Sequence, residues 1–229
     1  MLWTKAWLET RWRFLFALAI PVFTLIIRHS KFTLTPADLP RMLMSGSVLY
    51  AFAGVYLAGD GIQTQSPFRE TRGLNASTIF TLALPVSRSR LLAMRAAMGL
   101  FETGAVIAIG ICLTWLLYPL VRANSTHFDL LKLIIAVFAF ATGFHLLSVL
   151  LATFLDVVWQ LFASMLCVGV LWGISELLAL PQRLNIFRTM TTNSPLVTHS
   201  FPWAAVFVSC TLALVFFLAA SRVVRTRQY

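Results

Sequence analysis

Glu102 and His145 are ionisable side chains standing inside long apolar runs. A charge in such a place is costly, so each is a candidate for function unless it has a structural partner. Glu102 lies between Gly99 and Gly104, where missing side chains let another helix come close. Two kinds of chemistry follow. The carboxyl either faces a substrate or gates a path through the membrane, or it makes a structural hydrogen bond across a helix bundle to a Ser, a Thr or His145. His145 and Asp156 are 11 residues apart and share a helix face, but about three turns separate them, too far for direct pairing. Asp60, Asp156 and Glu176 stand near the ends of apolar runs, where an interfacial position accounts for them.

Other chemistries are poorly served. His145 as base and Ser175 as nucleophile would suit an intramembrane hydrolase, yet Ser175 has no Gly-x-Ser-Gly setting, and no Glu-Glu pair supports a membrane metalloprotease. The acidic and His residues form no close cluster at metal-ligand spacing, so no metal site is expected. Cys112, Cys167 and Cys210 sit in apolar runs, where thiols behave as small hydrophobes. The lysines, Lys5, Lys31 and Lys132, lie in no Gly-x-x-x-x-Gly-Lys-Ser/Thr loop. The chain therefore has no phosphate loop of its own for ATP, and no directly bound cofactor is expected.

The elements that must position these residues are set by composition. Of 229 residues, 59% are hydrophobic and 11% charged, with a mean hydropathy of +0.83. Most of the length must lie in lipid, leaving no room for a sizeable aqueous domain beside several spans of about 20 residues each. The net charge of +10 fits the rule that places Lys and Arg on the cytoplasmic side better than a nucleic-acid partner. The charges of the opening "MLWTKAWLETRWRF" lie among tryptophans with no small-residue cleavage site after them, which argues against a removable signal peptide.

Six apolar segments are bounded by charges, prolines or Ser/Thr/Asn clusters, at about 13–28, 42–62, 91–121, 130–155, 157–180 and 202–221. The expected fold is an all-α integral membrane protein, a single transmembrane domain over 1–229 with six transmembrane helices. With both termini inside, the inner connections hold Lys5, Arg11, Arg13, Arg69, Arg72, Arg88, Arg90, Arg95, Arg222, Arg225 and Arg227, against Arg28, Lys31, Arg41, Arg122, Lys132, Arg183 and Arg188 outside. That excess favours cytoplasmic termini. Before the first span, Trp3, Trp7 and Phe14 share one helical face and Lys5, Glu9 and Arg13 another. This suits an interfacial helix in the headgroup layer, the alternative being an extension of the first span. In the fifth span, Gly169 and Gly173 have the small-xxx-small spacing of a close helix contact, either with a second copy or within one chain.

The one sizeable inner loop runs from Gln63 to Arg90. Ala76, Ile79, Phe80 and Ala83 recur at helical spacing there, so a short amphipathic helix is expected, ended by Pro85. Ser87 or Ser89 can then cap the third span. The connection from Pro181 to Pro202 is expected outside, with a short surface helix within "RLNIFRTMTTNSPL".

Glu70, Gly73, Leu84, Pro85, Val86, Ser87, Arg88, Leu91, Leu92 and Arg95, together with the six-span layout, resemble the permease subunits of type-2 (ABC-2) ATP-binding cassette transporters. The chain departs from that family in having Ala76, Ser77 and Thr78 where a Gly-Thr pair commonly precedes the apolar helix. The resemblance implies an exporter of the cell inner (cytoplasmic) membrane in which two permease copies or paralogues form the path and separate ABC ATPase subunits hydrolyse ATP. It implies ATPase coupling through Glu70, Gly73, Ile79, Phe80, Leu84, Pro85, Arg88 and Arg90. Arg88 and Arg90 would either bridge to the ATPase or anchor to anionic membrane lipid at the span boundary. The competing reading is a membrane anchor or assembly factor that recruits a soluble partner without transporting anything.

Overall fold

The computed structural model describes residues 2–31, 39–58, 87–155, 157–177, 185, 187 and 194–226. Of the residues named above, Glu70, Gly73, Ile79, Phe80, Leu84 and Pro85 of the expected coupling segment lie outside them, as do Asp60 and Asp156. The helices are α1 (Leu2–Lys31), α2 (Leu39–Leu57), α3 (Arg88–Leu117), α4 (Pro119–Asn124), α5 (His127–Leu151), α6 (Val157–Leu177), α7 (Pro195–Thr198) and α8 (Trp203–Thr226). No strand occurs among the described residues.

Four helices are long and apolar enough to cross a membrane: Ser89–Leu117, His127–Leu151, Val158–Ser175 and Trp203–Thr226. They correspond to the third to sixth expected spans. The end of the third is earlier than expected because of Pro119. The residue before a proline is pushed out of helical geometry, and Tyr118 is extended at φ −110°, ψ 101°. Pro119 then opens α4, where its missing N–H costs nothing. α5 starts three residues earlier than the apolar pattern suggested, because Thr126 and Asp129 close a capping box around its first turn.

The N-terminal stretch is not a separate interfacial helix. No glycine or proline interrupts the chain between Leu2 and Ile20, and these residues continue without a break into the first apolar segment as α1. The Trp7 and Phe14 rings share a face, as the spacing predicts, with centroids 5.6 Å apart. α1 lies along α3, and two contacts fix the register: Thr10 Oγ1 donates to Glu102, and the Tyr118 hydroxyl donates to the Leu25 carbonyl at 3.3 Å. The offsets of 92 and 93 residues make the two helices parallel over about four turns.

α5 is the hub, packed by α8, α2, α3, α6 and α7, while α1 packs on α3 and α2. Its Ala136, Val137, Phe140 and Ala141 are buried. By contrast α6 and α8 display Val158, Trp159, Phe162, Leu166, Trp203 and Phe207 outward, the distribution of helices whose outer faces meet hydrocarbon. Since lipid tails are as apolar as leucine, such helices are held by close packing and buried hydrogen bonds rather than by exclusion of water.

Candidate functional site

The glycines show where helices approach most closely. A Cβ on Gly99 of α3 would stand 2.5 Å from His145 Cε1 and 2.5 Å from the Leu57 carbonyl oxygen. A Cβ on Gly54 of α2 would be 3.1 Å from the Ala141 carbonyl oxygen, and one on Gly110 would overlap the Tyr50 hydroxyl. On Gly104 it would press the Phe138 ring at 3.2 Å. Gly54 and Gly99 thus let α2, α3 and α5 approach one another's backbone carbonyls, and Gly110 makes room for the Tyr50 side chain. Gly169 and Gly173 differ: among the described residues nothing lies within 4 Å of a Cβ at either position, and both are exposed on α6.

His145 is fully buried in this seam, its Nδ1 2.9 Å from the Gly54 carbonyl oxygen. One turn on, the Ser148 hydroxyl donates to the Val55 carbonyl at 3.3 Å. It accepts from Gln160 Nε2 at 3.0 Å and from the Ser164 hydroxyl at 3.1 Å. A chain of buried polar groups therefore ties α2, α5 and α6 together, which apolar packing alone would leave free to slide. The Thr103 hydroxyl returns to the Gly99 carbonyl at 2.7 Å.

Glu102 is 1% exposed, enclosed between α3 and α1. One carboxyl oxygen accepts from Thr10, and Arg13 adds a favourable electrostatic contact. The other oxygen, Oε2, is buried with no hydrogen-bond partner among the described residues. Of the partners considered from sequence, a threonine is the one present, and His145 is engaged elsewhere. Nor are His145 and Ser175 brought together as a hydrolase would require: the Ser175 hydroxyl donates to the Trp172 carbonyl at 2.8 Å. Among the described residues no group of three His, Cys, Asp or Glu could hold a metal.

Two clusters had no counterpart in the sequence reading. At the start of α5, Asp129 accepts from the Thr126 hydroxyl at 2.7 Å and from Lys132 Nζ at 3.0 Å, and lies 2.9 Å from His199 Nδ1. Lys132 also donates to the His199 carbonyl at 2.7 Å. His199 holds a left-handed backbone, φ 54°, and these contacts join the segment before α8 to the head of α5. The Thr-x-x-Asp spacing was the available signal for the capping part.

The second cluster lies beyond α6. Asn185 Nδ2 donates to the Ser175 carbonyl at 3.2 Å, and Asn185 Oδ1 accepts from the Phe187 amide at 3.1 Å. The Phe187 ring meets Phe140 at 5.2 Å and Phe144 at 6.2 Å, well inside α5. This connection, expected outside, sends Asn185 and Phe187 back into the bundle, and both are buried.

At the start of α3 Ser87 holds the N-cap position with an extended backbone but no side-chain capping bond. Arg88 is the first helical residue and Arg90 is exposed.

These features define an all-helical, multi-pass membrane protein with a buried polar seam and no catalytic constellation among the described residues. Comparison with protein-family models, with curated proteins and with solved structures gives no match.

Proposed function

We propose that this chain is the membrane permease subunit of an ABC-2 type exporter, paired with a second copy or a paralogue and driven by a separate ATPase. The observation that carries the reading is where α3 begins. Leu84-Pro85-Val86 precedes Ser87, which is extended, and the helix starts at Arg88 and runs 30 residues. A charged step between a surface segment and a long membrane helix is what force transfer from a soluble motor needs, because a push on the segment tilts the helix joined to it.

In this reading six helices cross the inner membrane with both termini cytoplasmic. Support for α1 as a crossing helix comes from its register: it runs beside α3 from Thr10 to Leu25 in the same direction. With 30 residues it is about 45 Å long against a hydrocarbon core of about 30 Å. The surplus turns, with Trp7 38% and Trp12 69% exposed and the Arg11 guanidinium 5.6 Å from the Trp12 ring centroid, suit the headgroup layer. Gly169 and Gly173, facing outward, suit a contact with the second permease copy.

The decisive test is copurification of an ABC ATPase subunit with this chain from its native membrane. Phe80→Asp and Leu84→Asp should release it while membrane insertion stays intact. Unchanged copurification would sink the coupling assignment.

A further inference from the structure

Helices α6 and α8 flank α5, and a cavity of about 170 Å³ opens between them. Phe140, Phe144 and Leu147 of α5 form its floor, and Leu171 of α6 with Leu212 and Phe216 of α8 form its sides. Phe187, folded back from the connection after α6, closes one end. We infer that this cavity is a lipid site that takes a hydrocarbon tail of a bilayer phospholipid. The inference goes beyond the transport reading and stands on the membrane class alone.

Three observations point to a tail rather than water or a polar solute. The walls are almost wholly carbon, and the polar groups at the Phe187 end are engaged internally: Asn185 bonds the Ser175 carbonyl and the Phe187 amide, and the Ser175 hydroxyl bonds the Trp172 carbonyl. An apolar cavity of this kind does not hold water but does hold apolar guests. Moreover, the mouth is part of the outer surface. Leu171 is 46% exposed and Leu212 43% exposed while both line the cavity. They continue the exposed apolar faces of two helices long enough to cross a membrane, so what stands at the opening is acyl chain. Finally, the depth is made by small residues, Gly143 and Ser209, which face each other across the α5–α8 contact.

The test reconstitutes the full chain in phosphatidylcholine nanodiscs containing a phosphatidylcholine with a diazirine in one acyl chain. Illumination is followed by peptide mapping. Phe207, 73% exposed, and Leu177, 85% exposed, report ordinary contact with the bilayer. Phe140 is 2% and Phe144 8% exposed, so a tail reaches them only through the cavity. Labelling of Phe144 and Leu147 is expected in the unaltered chain, and a several-fold loss there in Ser209→Phe, with labelling of Phe207 and Leu177 unchanged. Gly143→Leu is a second filling variant should the first fail to fold. Labelling confined to the outward faces of the unaltered chain, or labelling of Phe144 that survives either folded variant, would overturn the site.

Discussion

The imidazole of His145 occupies the space that a side chain on Gly99 would need: its Cε1 lies 2.5 Å from the place of the missing Cβ, and its Nε2 3.1 Å. Because His145 also holds the Gly54 carbonyl at 2.9 Å, one ring pins α2, α3 and α5 at a single level. Gly99→Ala should therefore destabilise the bundle by overpacking, by about 1–3 kcal/mol. Thermal unfolding of the purified protein in detergent measures it. Adding His145→Ala should recover only part of the loss, since the Leu57 carbonyl remains 2.5 Å from the same Cβ. A full recovery would mean that the helices shift freely at this level.

Glu102 and Thr10 bond across the α1–α3 contact. Thr10→Val removes the donor and leaves a second carboxyl oxygen unpaired beside one already so, which should cost about 1–3 kcal/mol. The double variant Thr10→Val with Glu102→Leu should be less destabilised than the two single changes predict, because no orphaned carboxyl is left buried. Strict additivity of the unfolding midpoints would show that the two residues do not act as a pair.

Asp129 closes the capping box begun by Thr126, its carboxylate accepting from the Thr126 amide at 3.2 Å, and holds both Lys132 and His199. Asp129→Ala loses its half of the capping box and both partners and should cost about 1–2 kcal/mol. His199→Ala should cost less, since the His199 side chain is 60% exposed and an exposed pair contributes at most about 1 kcal/mol. Hydrogen exchange at the first turn of α5 reads this directly: protection there should fall in the Asp129 variant and hold in the His199 variant.

Membrane orientation can be read with single cysteines placed in a chain whose Cys112, Cys167 and Cys210 are replaced by Ala. Ser200 and Thr226 are both exposed. With the termini cytoplasmic, Ser200→Cys should react with an impermeant maleimide added outside, and Thr226→Cys only after the membrane is opened. The reverse pattern would invert the topology and move the Arg88 boundary to the outer side.

Particular residues show how far the sequence could be read. The four helices long enough to cross a membrane follow from the apolar runs, and their ends differ from the apolar bounds by a few residues, with an identifiable local cause at Pro119 and at the Thr126–Asp129 box. The N-terminal helix runs on into the first apolar segment although its charge pattern suggests a separate surface helix, because the partner of Thr10 lies 92 residues away. Asn185 gave no local sign that it would turn back to Ser175, because a polar residue in a connection looks the same whether its partner is water or a helix end.

Hydropathy and helix length are properties counted along the chain, so the sequence by itself determined an all-helical membrane protein and the approximate position of its long spans. Glycines within apolar helices, however, stand both at Gly99, where a single added carbon would collide with His145, and at Gly169 and Gly173, where nothing among the described residues stands within 4 Å. Which glycine is a contact and which is open surface depends on the neighbour that arrives from elsewhere in the chain. Only the tertiary structure decided that, and with it the burial of Glu102 against α1 and the cavity between α6 and α8.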